Sequence, residues 1–138
     1  MKRIFSHLPY QAGIVLAAVR ILIGAFMFWH GKEVFEKEKM DEYGTWMVDL
    51  EFIFPSVIAY VGKGCEFISG ILLCLGLFTR LAALILIVNM SIITFGMGQG
   101  RIFMEDQHPF QFVVFGVLFL FLGGGDYSLD KKLFGGNA

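Results

Sequence analysis

Long apolar stretches separated by shorter polar ones dominate this sequence. A helix that crosses a bilayer needs about 20 mostly apolar residues, and four segments meet or approach that length. They run from about 11 to 30, 55 to 78, 80 to 98 and 109 to 123. Because backbone polar groups in lipid must be bonded internally, we interpret all four as helices. The sequence therefore predicts an all-α membrane protein, a single domain over 1–138 folded as a four-transmembrane-helix antiparallel bundle.

The connections between the predicted helices differ in length and charge. Only Thr79 and Arg80 separate the second helix from the third, which indicates a tight antiparallel hairpin. The connection between the first two is long, and residues 31–54 contain seven acids and three lysines. We expect residues 33–42 to continue helix one beyond the membrane or to lie on its surface, with their charges forming a solvated face.

The positive residues suggest an orientation, because short cytoplasmic flanks are enriched in lysine and arginine. One side of the predicted bundle has five such residues and the other has four. The first set is Lys2, Arg3, Arg80, Lys131 and Lys132, and the second is Lys32, Lys37, Lys39 and Arg101. This excess predicts a multi-pass protein with both termini in the cytoplasm and the acidic 33–51 loop outside.

Composition excludes two functional classes. Apolar residues make up 57% of the chain and charged residues 17%, against about 25% charged in soluble domains. A net charge of −1 offers no basic surface for nucleic acid. Cys65 and Cys74 lie about 13 Å apart along one predicted helix, too far for a disulfide. Without a C-x-x-C pair, a thiol-exchange enzyme is also disfavoured.

Charged residues inside the predicted helices are the strongest chemical signal, because an isolated charge there costs about 2.5–3.5 kcal/mol on insertion scales. Arg20 lies on a stripe of small residues in the first helix, and Glu66 on another in the second. Small residues allow membrane helices to approach closely. We therefore predict a structural ion pair between Arg20 and Glu66. The stripes comprise Gly13, Ala17, Gly24 and Gly31, and Ala59, Gly62, Lys63, Ser69 and Gly70.

A candidate binding site surrounds this pair at the outer mouth. Several cations near one carboxylate predict a positive pocket for a small anion or a quinone carbonyl, and a histidine there can carry protons near neutral pH. The alternative is that the pair only fixes the register of the two helices. Neither a metal site nor a catalytic residue is indicated. The ligand-binding candidates are Arg20, His30, Lys32, Lys63, Glu66, Glu105 and His108.

Three segments together resemble one family over nearly the whole chain. Residues 20–32 read R-I-L-I-G-A-F-M-F-W-H-G-K, residues 64–83 read G-C-E-F-I-S-G-I-L-L-C-L-G-L-F-T-R-L-A-A, and residues 123–130 read G-G-G-D-Y-S-L-D. This pattern resembles the DoxX family of small four-helix bacterial membrane proteins, including its DoxD-type and MauE-like members. The matching positions are Arg20, Gly24, His30, Gly31, Lys32, Glu66, Gly70, Arg80 and Tyr127-Ser128-Leu129-Asp130.

The resemblance implies a protein of the bacterial cytoplasmic (inner) membrane that is associated with redox chemistry. Relatives include a subunit of a thiosulfate:quinone oxidoreductase and proteins that mature a methylamine dehydrogenase. One hypothesis is a non-catalytic subunit of an oxidoreductase complex, which holds a quinone or small anion near the Arg20–Glu66 pair while a partner supplies electrons. A second is a scaffold or maturation factor whose acidic loop contacts an exported enzyme. A third is a small-solute carrier that works as an oligomer.

Overall fold

The computed structural model describes residues 11–135, which fold entirely into helices and their connections. A 3₁₀ turn at Lys32–Phe35 follows α1, and a π-helical turn at Ile92–Met97 extends α4. Three apolar segments, Ala12–Phe35, Pro55–Leu75 and Thr79–Met97, are long enough to cross a membrane, and Gln107–Leu122 is a shorter apolar helix. The predicted all-α membrane fold is confirmed. The helices are α1 (Ala12–Gly31), α2 (Lys37–Asp49), α3 (Pro55–Leu75), α4 (Thr79–Ser91), α5 (Gln107–Leu122) and α6 (Leu129–Phe134).

Facing glycines bring the backbones of α1 and α3 together. A Cβ atom added to Gly24 would lie 2.8 Å from the carbonyl oxygen of Gly70, and one added to Gly70 would lie 2.8 Å from that of Gly24. Gly31 approaches the backbone of Phe67 just as closely. The small residues of α1 therefore face α3, as predicted. This contact runs antiparallel and fixes the heights of charged residues on the two helices.

The second half of the bundle pairs α4 with α5. Phe112 and Phe119, seven residues apart, are buried on the side of α5 that faces the core. Gly116 between them allows Ile87 of α4 to approach. Phe121 and many aliphatic side chains on the outside are exposed. An apolar exterior of this kind is what a bilayer requires.

The acidic connection contains a helix that packs against the bundle. The chain leaves helical geometry at Glu36 and then continues as α2, which packs along α3. Met40, Gly44 and Met47, at steps of four and three, are buried, and the two methionines cluster with Ala59 of α3. The charged residues of α2 lie on its exposed side. The prediction that residues 33–42 continue helix one is therefore wrong, because α1 ends at Gly31 and α2 begins at Lys37. The alternative, that these residues lie on the membrane surface, stays a prediction.

Segments distant in sequence close the end of the bundle where α3 ends. Gly76, at φ 64°, terminates α3, and Leu77 N–H donates to the Leu72 carbonyl in the double turn typical of helix ends. The hairpin is therefore residues 76–78 and not Thr79-Arg80. The Asp130 carboxylate accepts from Phe78 N–H at 2.6 Å and Thr79 N–H at 2.8 Å. It thereby supplies acceptors for free N–H groups at the start of α4.

Lys2 and Arg3, used for the predicted orientation, lie outside the described residues.

Candidate functional site

Arg20 lies at the end of the bundle that Asp130 closes, away from Glu66. Its guanidinium donates to the carbonyl oxygens of Leu73 at 2.5 Å, Cys74 at 3.3 Å and Tyr127 at 2.8 Å. The side chain is buried, with 1% of its surface exposed. Arg20 therefore joins α1, the last turn of α3 and the segment before α6. The last carbonyls of a helix carry partial negative charge, which makes them suitable partners for a guanidinium.

The predicted Arg20–Glu66 ion pair is therefore wrong. Side chains on a helix lean towards its N-terminus, so Arg20 reaches back towards the start of α1. The antiparallel α3 presents its C-terminal carbonyls there. Glu66 precedes Leu73 by seven residues, about 10 Å along the axis. It has a nearer partner, because Lys63 Nζ lies 3.0 Å from its carboxylate.

Four side chains at the opposite end of the bundle form what we call the Lys63 cluster: Glu33, Tyr43, Lys63 and Glu66. Lys63 Nζ lies 3.1 Å from Glu33 Oε2 and 3.0 Å from Glu66 Oε2. Tyr43 donates its hydroxyl to Glu33 at 2.7 Å, and its ring lies beneath the ammonium, 4.8 Å from Nζ to the centroid. Burial and the hydrogen bond to Glu33 raise the pKa of Tyr43 above its ordinary value. One lysine thus bridges two carboxylates contributed by different elements.

Two cavities meet at this cluster, and both are lined by Lys63, Glu66 and Ile93. The α2-side cavity has a volume of about 220 Å³ and an otherwise mostly apolar wall. The α5-side cavity has a volume of about 170 Å³ and contains both His30 and His108. The α2-side cavity is also lined by Tyr43, Trp46, Ile58, Asn89, Ile92 and Met97.

An irregular turn in α4 contributes to the wall of the α2-side cavity. The π-helical turn begins at Ile92, and Gly98 N–H donates to the carbonyl of Ile93, five residues back. Asn89, just before the turn, donates its amide to the Gly62 carbonyl of α3 at 3.3 Å. Single π-helical turns often occur at functional sites. This one places a polar amide and two isoleucines beside Glu66.

Four of the seven predicted binding residues line these cavities, and three do not. His30 and His108, from α1 and α5, have ring centroids 5.8 Å apart across the α5-side cavity. Lys32 instead stacks on the exposed Trp29, with Nζ 3.4 Å from the ring centroid. Glu105 pairs with Arg101 at 3.3 Å on the exposed connection before α5. Arg20 lies at the far end, as described above.

The prediction of a positive pocket is wrong because most of the predicted cations lie elsewhere. Among the lysines and arginines of residues 11–135, only Lys63 lies beside Glu66, and Glu33 adds a second carboxylate there. A single ammonium between two carboxylates does not attract an additional anion. It suits an uncharged molecule that exchanges hydrogen bonds with the cluster.

Sequence reasoning missed Glu33 and Tyr43, which lie in the stretch treated as a solvated loop. They meet Lys63 only because the helix breaks at Glu36 and α2 packs along α3. The spacing of Met40, Gly44 and Met47 was the available signal, because it is typical of an amphipathic helix. Such a helix turns Tyr43 towards the bundle.

The fold and the charged cluster define a small helical membrane protein with a polar site at one end of its bundle. The chain belongs to the DoxX family, whose model matches residues 15–99, and the predicted resemblance is confirmed. It is also 30% identical over 141 residues to an uncharacterised protein of Haemophilus influenzae. The aligned region covers 97% of this chain and 98% of that protein. No solved structure gives a significant match. The family match includes Arg20, Lys63 and Glu66 and ends before His108.

Proposed function

We propose that this DoxX-family protein is a membrane subunit of a redox system and holds the head group of a quinone in the α2-side cavity. The observation that carries the proposal is an ammonium–carboxylate pair, the half-buried Lys63 with the buried Glu66, in the wall of a mostly apolar cavity. A quinone matches both features, because its ring is apolar and its carbonyls accept hydrogen bonds. Lys63 supplies N–H donors, and the polar side chain of Asn89 also lines the cavity.

The size and position of the cavity also favour a head group. Sites for complete drug-sized ligands measure about 300–1,000 Å³, and this cavity holds about 220 Å³. A long isoprenoid tail would lie outside it, along apolar surface such as the exposed Ile92 of the π-helical turn. Electrons are supplied by a partner protein, and the role of this chain is to bind and orient the quinone. The two carboxylates argue against the small anion considered as the alternative ligand.

Quinone binding can be followed through Trp46, which lines the cavity. The sequence contains one other tryptophan, Trp29, so Trp29→Phe leaves Trp46 as the only fluorescent tryptophan. In lipid nanodiscs, a short-chain ubiquinone should quench Trp46 with saturation. Lys63→Gln removes the charged donor to a quinone carbonyl, and Glu66→Gln removes the carboxylate that holds this ammonium in the cavity wall. Each should weaken binding about tenfold or more, because a hydrogen bond from a charged group contributes about 1.5–3 kcal/mol.

The matched control is Glu105→Gln, which alters an exposed carboxylate away from the cavity. It should bind the quinone as tightly as the parent protein. Quenching that rises linearly, with the same slope in the parent and in Glu66→Gln, would mean that the quinone only partitions into the bilayer. That result would overturn the proposal.

The orientation of the protein is part of this proposal. We infer a bacterial cytoplasmic membrane location with the Arg20 end of the bundle in the cytoplasm and α2 outside. Arg80, Lys131 and Lys132 are exposed at the first end. Together with Lys2 and Arg3, which precede α1 in the sequence, they make the five-to-four excess of positive residues on which this orientation rests. A green fluorescent protein fused after Ala138 should fluoresce, because this reporter folds in the cytoplasm. A dark fusion whose alkaline phosphatase counterpart is active would contradict this orientation.

The exposed side of α2 favours a second function, a scaffold for an exported enzyme. Glu38, Asp41 and Glu42 lie on that side, where a basic surface of a partner could bind. Deleting α2 would also remove the buried Met40, so charge reversal is the cleaner perturbation. Glu38→Lys with Glu42→Lys should abolish a specific crosslinked product in native membranes and leave quinone binding intact. A crosslink that survives the reversal would count against this function.

A further inference from the structure

We propose that the Lys63 cluster is a proton path from water at the α2 end of the bundle to Glu66, at the wall shared by both cavities. The inference deepens the proposed function, because a quinone in the α2-side cavity is the species that Glu66 would protonate or deprotonate. A quinone that receives two electrons from a partner must also take up two protons to become a quinol. A buried binding site therefore needs a route for protons.

The structure contains a continuous chain of polar contacts along this route. The Tyr43 hydroxyl donates to Glu33 at 2.7 Å, Glu33 lies 3.1 Å from Lys63 Nζ, and Lys63 lies 3.0 Å from Glu66. Exposure falls along it, because the side chains of Glu33, Lys63 and Glu66 are 21%, 14% and 5% exposed. The chain thus begins at a group in contact with water and ends at a buried carboxylate.

These contacts allow a proton to move without leaving a charge stranded. A protonated Glu33 gives its proton to Lys63 nitrogen as that nitrogen releases another to the Glu66 carboxylate. One O–H bond breaks at Glu33, one O–H bond forms at Glu66, and Lys63 remains an ammonium throughout. The net result is the transfer of one proton over two hydrogen bonds. Glu66 can then pass it to a quinone oxygen in the adjoining cavity.

Every element packed around Glu66 contributes a polar group, and the chain through Lys63 is the connected one. His30 of α1 and His108 of α5 face Glu66 across the α5-side cavity, while Tyr43 of α2 and Asn89 of α4 face it across the α2-side cavity. Within residues 11–135, neither histidine makes a hydrogen bond to Glu66. Glu33, by contrast, joins it through a single side chain.

The competing explanation is a static brace in which Lys63 only neutralises two carboxylates. A brace and a path make the same contacts but differ in how fast the Glu66 proton exchanges with water. Infrared spectroscopy measures this rate, because a protonated carboxyl has its own C=O band and the band shifts when deuterium replaces the proton. The band of Glu66 is the one that disappears in Glu66→Gln.

The decisive experiment transfers the protein in nanodiscs, across a range of pH, from H₂O to D₂O buffer. If the path exists, Glu33→Gln should slow exchange of the Glu66 proton about 100-fold, the lower end of what a positioned proton-transfer group contributes. Glu33→Asp should restore most of the rate, and Glu105→Gln should leave it unchanged. Exchange in Glu33→Gln at the parent rate would overturn the path, as would the absence of a Glu66 band at every pH.

The same variants separate this inference from the proposed function. Glu33 does not line the α2-side cavity, so the short-chain ubiquinone should still quench Trp46 with saturation in Glu33→Gln. If exchange of the Glu66 proton is slowed in Glu33→Gln but neither the parent nor any variant shows saturable quenching, the proton path stands and the quinone site is refuted. If quenching saturates but exchange in Glu33→Gln equals that of the parent, the quinone site stands and the path is refuted. A measurement of unfolding in each variant identifies any loss caused by misfolding.

Discussion

Replacing Arg20 with leucine tests whether this arginine binds carbonyl oxygens or Glu66. The structure gives Arg20 three backbone acceptors, two of them close: Leu73 at 2.5 Å and Tyr127 at 2.8 Å. Leucine removes the donors and leaves the Tyr127 carbonyl without them. Glu66 keeps Lys63 as its partner and should not respond.

The magnitude follows from two opposing contributions. Two short hydrogen bonds from a charged group contribute about 3–6 kcal/mol together. Removing a buried guanidinium recovers about 2.5–3.5 kcal/mol, the cost of placing a charge in the membrane interior. The midpoints of the two ranges differ by about 1.5 kcal/mol, which is the expected net loss. Arg20→Lys should lose about as much, because a single ammonium does not reproduce the guanidinium's separated donors to two segments.

A double-mutant cycle with Glu66→Leu gives the decisive comparison. Unfolding in mixed micelles, titrated with sodium dodecyl sulfate, measures the free energy for the parent, both single variants and the double variant. Arg20 and Glu66 share no partner, so their effects should add within about 0.5 kcal/mol. Partial rescue of Arg20→Leu by Glu66→Leu would show that the two charges meet, and would refute our assignment.

Three further predictions concern other contacts. Gly70→Leu should prevent α1 from packing on α3, because even a Cβ there would collide with the backbone of Phe28; the folded fraction in detergent, measured by size-exclusion chromatography, should fall sharply, and a normal profile would contradict this. Asp130→Ala should cost about 1–2 kcal/mol in the same unfolding titration, typical of a lost helix cap, and an unchanged midpoint would argue against capping. Since the pKa of Tyr43 is raised by burial and by Glu33, neutral tyrosine is favoured in the folded state. Its contribution to stability should be complete below about pH 10, the unfolded pKa, and should be lost as the pH rises through the folded pKa; Tyr43→Phe should lack this decline, and parallel curves for the two proteins would refute it.

The helices and their packing sides could be predicted because each depends on local sequence. The length of the apolar runs predicts which segments form membrane helices, and glycine spacing predicts that α1 faces a close neighbour. Gly24 and Gly70 meet because the small residues on these sides of the two helices let the backbones approach closely. The last helical turns were less predictable. Gly76 ends α3 before the apolar run itself ends.

The partners of charged residues could not be predicted from depth alone. Counting residues places Arg20 and Glu66 at heights that a long side chain could span, but the count ignores the direction in which the side chain leans. It also ignores backbone carbonyls, which satisfy Arg20 without any carboxylate. Glu33 could not be identified for a different reason, since its contact with Lys63 depends on the end of helical geometry between Gly31 and Glu36.

The most direct test of the quinone site is photoaffinity labelling with an azido-substituted quinone, followed by mass spectrometry of the labelled peptides. Our account predicts labelling around the α2-side cavity, at Tyr43, Trp46 or the π-helical turn Ile92–Met97, and its loss in Glu66→Gln. Excess unlabelled quinone should compete with it. Labelling centred on Tyr127 near Arg20, or spread over the lipid-facing surface without competition, would contradict the account.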